Sequence, residues 1–108
     1  MALIIDEKQL KGKPKKVGKL GGKPVWEAES KGGLFMVMAN QDGKPELIGT
    51  GPHPDVARYM AEQRHEGLQW TELQKADRLE LQHFQHLLPE YELLLARMQA
   101  LMARDDQE

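Results

Sequence analysis

The chain has 108 residues, 40% of them hydrophobic and 30% charged, which fits one globular domain and excludes a disordered chain. The formal net charge of -2 excludes a uniformly basic nucleic-acid binder, and the absence of cysteine excludes disulfides, thiolate catalysis and cysteine-based metal sites. The charge is nonetheless uneven. Residues 1–51 contain nine lysines and six acidic residues, whereas residues 52–108 contain six basic and eleven acidic ones. This asymmetry indicates a charged partner or contact between the two halves.

The chain begins with a short apolar stretch that Asp6 interrupts. It therefore lacks the basic start and the apolar length of a secretory signal. No apolar run approaches the roughly 20 residues that span a bilayer. We expect a cytoplasmic protein that does not enter a membrane.

The first half, residues 1–51, predicts an antiparallel β-meander of three to five strands, within a single domain of class α+β that covers residues 1–108. The predicted strands are residues 1–6, 16–20, 24–30, 34–39 and 44–50, and the second of them lies in a loop rich in lysine and glycine over residues 8–23. Trp26 and Ala28 alternate with two glutamates, so both are expected on one face of the sheet. Asp42 followed by Gly43 favours a tight hairpin turn.

The second half, residues 52–108, is mainly α-helical in this prediction, because the apolar spacing changes from 2 to about 3.6 residues after Gly51. The first helix is expected over residues 54–66. Pro54 fits its first position, and Gly67 is expected to end it.

The rest of the chain predicts one further helix over residues 71–104, or two if it is broken. Thr71 and Gln74 have the spacing of a capping box at its start. Pro89 removes a backbone donor, so the helix is expected to be kinked or broken near it. The apolar face before this proline is expected to contain Leu73, Ala76, Leu79, His83 and Leu87.

Few side chains in the chain suit covalent catalysis. Ser30 is the only serine, and Thr50 and Thr71 are the only threonines. Ser30 lies in a predicted hairpin with no histidine nearby in the sequence, and nothing resembles a nucleophile elbow. We assign no catalytic residue and no cofactor. His53 remains a candidate proton carrier, because an imidazole titrates near neutrality.

A weak metal-binding pattern lies in the predicted second helix. Glu80, His83 and His86 are spaced three residues apart and combine a carboxylate with two imidazoles, which are ligands that zinc accepts. The four-residue spacing of the better-known helical zinc motifs is absent. Packing of His83 at the edge of an apolar face, with a solvated His86, explains the pattern more simply.

Residues 8–23 contain seven lysines and no acidic residue. A flexible arm of this composition neutralises phosphates and gains affinity from counterion release. It has no arginine for base contacts and no aromatic residue for stacking, so any binding is expected to be independent of sequence. The candidate polyanion-binding residues are Lys11, Lys13, Lys15, Lys16 and Lys19. A solvated loop that keeps the edge of the sheet soluble explains the same composition.

Two apolar segments indicate self-association. Residues 34–39 are apolar on both faces of the predicted strand, and the end of the last helix has a broad apolar stripe. A second copy of the chain would cover both, although packing within one chain is the alternative. The candidate interface residues are Met36, Met38, Tyr91, Leu94, Leu95, Met98, Leu101 and Met102.

Three functional hypotheses follow from these patterns. The first is a non-enzymatic binding or assembly module that forms a homodimer. The second is a nucleic-acid or polyanion-binding accessory protein that uses the lysines of residues 8–23. The third is a metal-binding protein or small enzyme built on His53 or on Glu80, His83 and His86.

Overall fold

The computed structural model describes residues 10–41, 44–71 and 75–106, with the side chains of residues 40–45 and 102–106 excepted. Within these ranges five strands form one antiparallel sheet in the order β4-β3-β2-β1-β5. The strands are β1 (Lys15–Leu20), β2 (Lys23–Glu29), β3 (Phe35–Gln41), β4 (Lys44–Gly51) and β5 (Leu68–Trp70). The helices are α1 (Pro54–Arg64), α2 (Arg78–Gln82) and α3 (Leu88–Asp106), with a 3-10 turn at Gln85–Leu87. The predicted α+β class, with a meander followed by helices, is confirmed.

The β1–β2 hairpin turns through Gly21 and Gly22, both of which have positive φ angles, 60° and 83°. Two consecutive residues of this kind form the type I′ turn that suits a two-residue hairpin, and Leu20 accordingly pairs with Lys23. The strand predicted at residues 16–20 within the lysine-rich segment is found as β1, and residues 11–14 before it are not in a strand. The other predicted hairpin turn, at residues 42–43, and the predicted strand at 1–6 lie outside the described residues.

A β-bulge at Val17 interrupts the regular pairing of β1 with β2. Lys16 lies opposite Trp26, but the next pair joins Gly18 to Val25, so Val17 is the extra residue. Beyond a bulge, the alternation of faces along a strand shifts by one residue. As a result, Lys16 and Lys19 lie on the same face of the sheet, although residues three apart in a regular strand lie on opposite faces.

Helix α1 covers one face of the sheet, which we call the α1 face. Ala57 and Ala61 of the helix pack there on fully buried strand residues, namely Val17, Val25, Val37, Ala39 and Ile48. Gly49 permits the close approach, because a methyl group at this position would overlap the backbone of Ala57. The backbones of α1 and β4 are therefore in direct contact.

The opposite face of the sheet has two regions. Over β3 and β4 it is apolar and packs with α3 and the buried Leu95. Ala28 of β2 belongs to this apolar region as well. Over β5, β1 and the first half of β2 the face is formed by the residues that we call the lysine face: Lys16, Lys19, Pro24, Trp26 and Gln69. Gln69 lies opposite Lys19, Lys19 opposite Pro24, and Lys16 opposite Trp26, so these side chains share one side of the sheet.

The helices after β5 begin and end at positions that differ from the prediction. The predicted capping box of Thr71 and Gln74 extends over residues 72–74, which lie outside the described residues, and Thr71 itself donates its backbone N–H and its hydroxyl to the carbonyl of Val17. Helix α2 begins instead after Asp77, whose carboxylate accepts from the backbone N–H groups of Leu79 and Glu80. The predicted break near Pro89 is confirmed: α2 ends at Gln82, and Pro89 lies in the first turn of α3, where its missing N–H is tolerated.

The apolar face predicted before Pro89 is also wrong in part. Leu79 is 74% exposed, whereas Leu81 is buried in the core. The short helix presents a different side to the protein from the one expected for a continuous helix that starts at Thr71. Within the described ranges, no helix is long and apolar enough to cross a membrane.

Candidate functional site

The lysine face combines two exposed cationic side chains with a half-buried indole. Lys16 and Lys19 are both exposed on β1, and Trp26 lies on β2 directly across from Lys16. Cross-strand neighbours of this kind have Cβ atoms about 4.5–5.5 Å apart. The glutamates of β2, Glu27 and Glu29, alternate onto the other face. The site is therefore cationic and has an aromatic side chain beside its lysines.

Trp26 lies at the boundary between the apolar region under α3 and the lysine face. Its other cross-strand neighbour is Met38, which is buried in the core under α3. Trp26 itself belongs to neither of the two apolar clusters that the helices cover. The predicted placement of Trp26 and Ala28 on one face agrees with this register.

The five predicted polyanion-binding lysines do not act as one arm. Lys16 and Lys19 share the lysine face, whereas Lys15 lies opposite Glu27 and therefore on the α1 side. Lys11 lies 3.5 Å from the Glu29 carboxylate, and Lys13 is exposed in the loop before β1. Only two of the five are thus placed beside Trp26.

The nearly buried charged residues on the α1 face, Arg58 and Glu27, pair with each other. Arg58 donates two hydrogen bonds to Glu27, from Nε at 2.7 Å and from Nη2 at 2.8 Å. Both side chains are nearly buried, with exposures of 15% and 14%, and Asp55 lies 3.8 Å from the same guanidinium. This bidentate pair satisfies both partners, which suits a structural role.

His53, the candidate proton carrier, occupies the N-cap of α1. Its Nδ1 accepts a hydrogen bond from the backbone N–H of Asp55 at 3.2 Å, and a neutral imidazole then has its proton on Nε2. Nε2 lies 3.7 Å from a Glu80 carboxylate oxygen, and the ring stacks on Phe84 at 4.8 Å between centroids. These contacts attach α2 and the following turn to the start of α1.

The predicted zinc site is not assembled. Glu80 faces His53, whereas His83 and His86 are exposed at the end of α2 and in the 3-10 turn. Over the described residues, no group of three or more histidine, aspartate or glutamate side chains is close enough to hold a metal ion.

Much of the predicted self-association surface lies inside the single chain. Met36, Met38 and Leu95 are buried, and Tyr91 and Met98 pack against the same cluster. Gln99 strengthens this packing, because its side-chain amide donates to the carbonyl of Leu47 on the edge strand β4 at 2.8 Å. The alternative of packing within one chain thus accounts for these five residues.

The remaining part of that surface lies on the flank of α3. Leu94 is half-buried, Leu101 is 50% exposed, and the side chain of Met102 lies outside the described residues. Leu94 and Leu101 are seven residues apart, so they lie on one stripe of the helix.

A groove of about 530 Å³ lies between the end of α1, β5 and the start of α2. Glu62 organises it: its Oε1 accepts from the Trp70 indole N–H at 3.0 Å and from the Ala76 backbone N–H at 3.1 Å. Arg78 lies 3.8 Å from the other oxygen of the same carboxylate. Glu62 thus connects β5 and the segment before α2, and the groove contains charges of both signs.

No protein-family model matches the chain, and no curated protein or solved structure matches it either.

Sequence reasoning missed Trp26 as a partner of the lysines, because it treated residues 8–23 as a separate arm without aromatic residues. The signal that pointed to the hairpin was Gly21-Gly22, a two-residue turn sequence between two strands. The bulge at Val17, which brings Lys16 opposite Trp26, has no comparable signature in the sequence.

Proposed function

We propose that this protein is a non-enzymatic binding protein whose lysine face holds a polyanion. The observation that carries the proposal is the bulge at Val17, which places Lys16 and Lys19 on one face beside Trp26. Bulges often re-aim side chains at functional positions. A cytoplasmic location, expected from the sequence, is part of the proposal.

The electrostatics of the lysine face support an anionic ligand. Within the described part of the chain, neither Lys16 nor Lys19 forms an ion pair, so no carboxylate there has to be displaced before an anion binds. Two lysines that contact phosphates release two counterions, and the affinity then falls as the salt concentration rises.

The proposal is tested by the elution salt on heparin resin and by titration of a labelled polyanion at low salt. The double variant Lys16→Gln/Lys19→Gln should elute earlier, and the slope of log affinity against log salt should fall by about 1.4 if the polyanion is a single strand. The matched control Lys15→Gln/Lys31→Gln removes the same charge away from the lysine face and should retain most of the affinity. Equal losses in both variants, or no binding by the wild type at low salt, would refute the proposal.

A second candidate function is self-association into a homodimer. It is supported by the stripe of Leu94 and Leu101 on α3, which one chain leaves partly uncovered. Sedimentation at high micromolar concentration tests it: the wild type should be a dimer and Leu101→Asp a folded monomer. A monomeric wild type would exclude this function without affecting polyanion binding, which uses the other end of the sheet.

A further inference from the structure

We infer that the polyanion bound by the lysine face is single-stranded nucleic acid, with one base stacked on Trp26. This inference rests on the proposed function and specifies its ligand. Lysines alone bind any polyanion, including heparin and duplex DNA. An indole beside them adds a surface that only a ligand with accessible flat bases can use.

The arrangement matches the two components of single-strand binding. The first is a cationic path that follows the backbone, here Lys16 and Lys19 on β1. The second is an aromatic platform for a base, here Trp26 on the adjacent strand. Lys16 is the direct cross-strand neighbour of Trp26, and Lys19 lies in the next row on the same face. A strand whose base stacks on the indole therefore has its phosphates within reach of both ammonium groups.

The shape of the lysine face disfavours a duplex. Its residues lie on three neighbouring strands, and β5 adds only three residues at the edge. Reading of a duplex commonly uses a helix or a two-stranded ribbon that enters the major groove. In a duplex, moreover, each base is stacked between its neighbours, so the faces that Trp26 would contact are occupied.

The chemistry of the site also predicts weak sequence preference. Lysine ammonium groups are point charges without the planar fork that arginine offers to guanine. Gln69 is the one amide on the lysine face, and stacking on an indole accepts every base. Affinity should therefore depend on strandedness and salt far more than on base order.

The experiment measures how tightly the protein binds three probes. They are oligothymidine, a DNA duplex whose strands have the same number of nucleotides, and heparin. Trp26→Ala should weaken oligothymidine binding roughly 5- to 150-fold, as expected for the loss of one base–aromatic stack. It should change heparin binding less than about twofold, because heparin contacts the lysines. Trp26→Phe keeps a ring and should recover most of the oligothymidine affinity.

A second measurement leaves Trp26 intact. The chain has two tryptophans, so Trp70→Phe leaves Trp26 as the only indole. Oligothymidine should quench its fluorescence on binding, and heparin should bind without comparable quenching. This readout does not depend on whether Trp26→Ala folds.

The outcomes separate the inference from the proposed function. Heparin binding through Lys16 and Lys19, with equal affinity for single strand and duplex and no quenching of Trp26, would overturn the stacking inference and leave polyanion binding intact. Failure of all three probes to bind at low salt would overturn both. Selective binding of oligothymidine that is lost in Trp26→Ala and restored in Trp26→Phe would support both.

Discussion

Trp26 and Trp70 lie on opposite faces of the same sheet and have different environments. Trp70 pairs across from Gly18, packs against the cluster under α1, and donates its indole N–H to Glu62 at 3.0 Å. Trp26 lies between Lys16 and the buried Met38, outside both apolar clusters. One indole is integrated into the apolar cluster under α1, and the other lies at the boundary between the buried Met38 and the exposed Lys16.

The two faces of the sheet also differ in how their charged side chains are arranged. On the α1 face the buried charges are paired, as in the two hydrogen bonds from Arg58 to Glu27. On the lysine face the charged groups are exposed. Substitutions on the first face should therefore change the free energy of unfolding, whereas substitutions on the second should change binding.

The largest expected effect is that of Gly49→Ala. The new methyl group would overlap the Ala57 carbonyl, so α1 must move away from β4. Overpacking of a rigid backbone contact should lower the free energy of unfolding by about 3 kcal/mol, a large share of the roughly 5–15 kcal/mol of a typical domain. Urea unfolding measures this loss. Gly12→Ala is the control, because nothing lies within 4 Å of its added methyl group. Equal stability of the two variants would show that α1 does not sit tightly on the sheet.

Arg58→Met should have the next largest effect on the free energy of unfolding. It removes the partner of the Glu27 carboxylate, which is nearly buried. Breaking such a pair should lower the free energy of unfolding by about 2–3 kcal/mol, somewhat less than for a fully buried pair. The double variant Arg58→Met/Glu27→Met removes both charges and should recover more than half of the loss. Chemical denaturation of the four proteins in this cycle gives the coupling between the two residues. A coupling energy near zero would mean that water replaces the two hydrogen bonds between Arg58 and Glu27 without any loss of stability.

The two tryptophans give a direct test of the comparison. Trp70→Phe removes the hydrogen bond to Glu62 and leaves a carboxylate oxygen with one donor fewer, so it should lower the free energy of unfolding by about 1–2 kcal/mol. Trp26→Phe removes no bond to the described part of the chain and should lower it by less than about 0.5 kcal/mol. Thermal unfolding of both variants shows which of them loses more stability. A larger loss in Trp26→Phe than in Trp70→Phe would assign the structural role to Trp26.

The sequence predicted the parts of this comparison that depend on local patterns. The alternation at Trp26 and Ala28 is found in β2, and the change of spacing after Gly51 marks the start of α1. It did not predict that α2 starts after Asp77, nor the two hydrogen bonds that Thr71 donates to the carbonyl of Val17, 54 residues earlier. Hydrogen bonds between residues so far apart in the sequence form only in the tertiary fold, so no local pattern indicates them.

The candidate site was predicted only in part, for a related reason. Seven lysines without an acid indicated polyanion binding, but the composition cannot show on which face each lysine lies. In an unbroken β1–β2 ladder from the Gly21-Gly22 turn, Val17 would lie opposite Trp26 and Lys16 on the α1 side. The bulge exchanges them, which buries Val17 and exposes Lys16. The buried Val17 then packs in the cluster under α1, a tertiary contact that no local pattern encodes.

The smallest expected change in stability is that of Lys16→Gln/Lys19→Gln. Both side chains are exposed, and solvated charges of this kind contribute little to folding. The free energy of unfolding should stay within about 0.5 kcal/mol of the wild type, as should that of the control Lys15→Gln/Lys31→Gln. The two variants should thus be indistinguishable in urea unfolding and differ only in polyanion binding. If Lys16→Gln/Lys19→Gln were destabilised by more than about 1 kcal/mol and the control were not, the bulge would need its lysines in order to form. The lysine face would then be a structural element like the α1 face, and a loss of binding in that variant would no longer identify a contact with the polyanion.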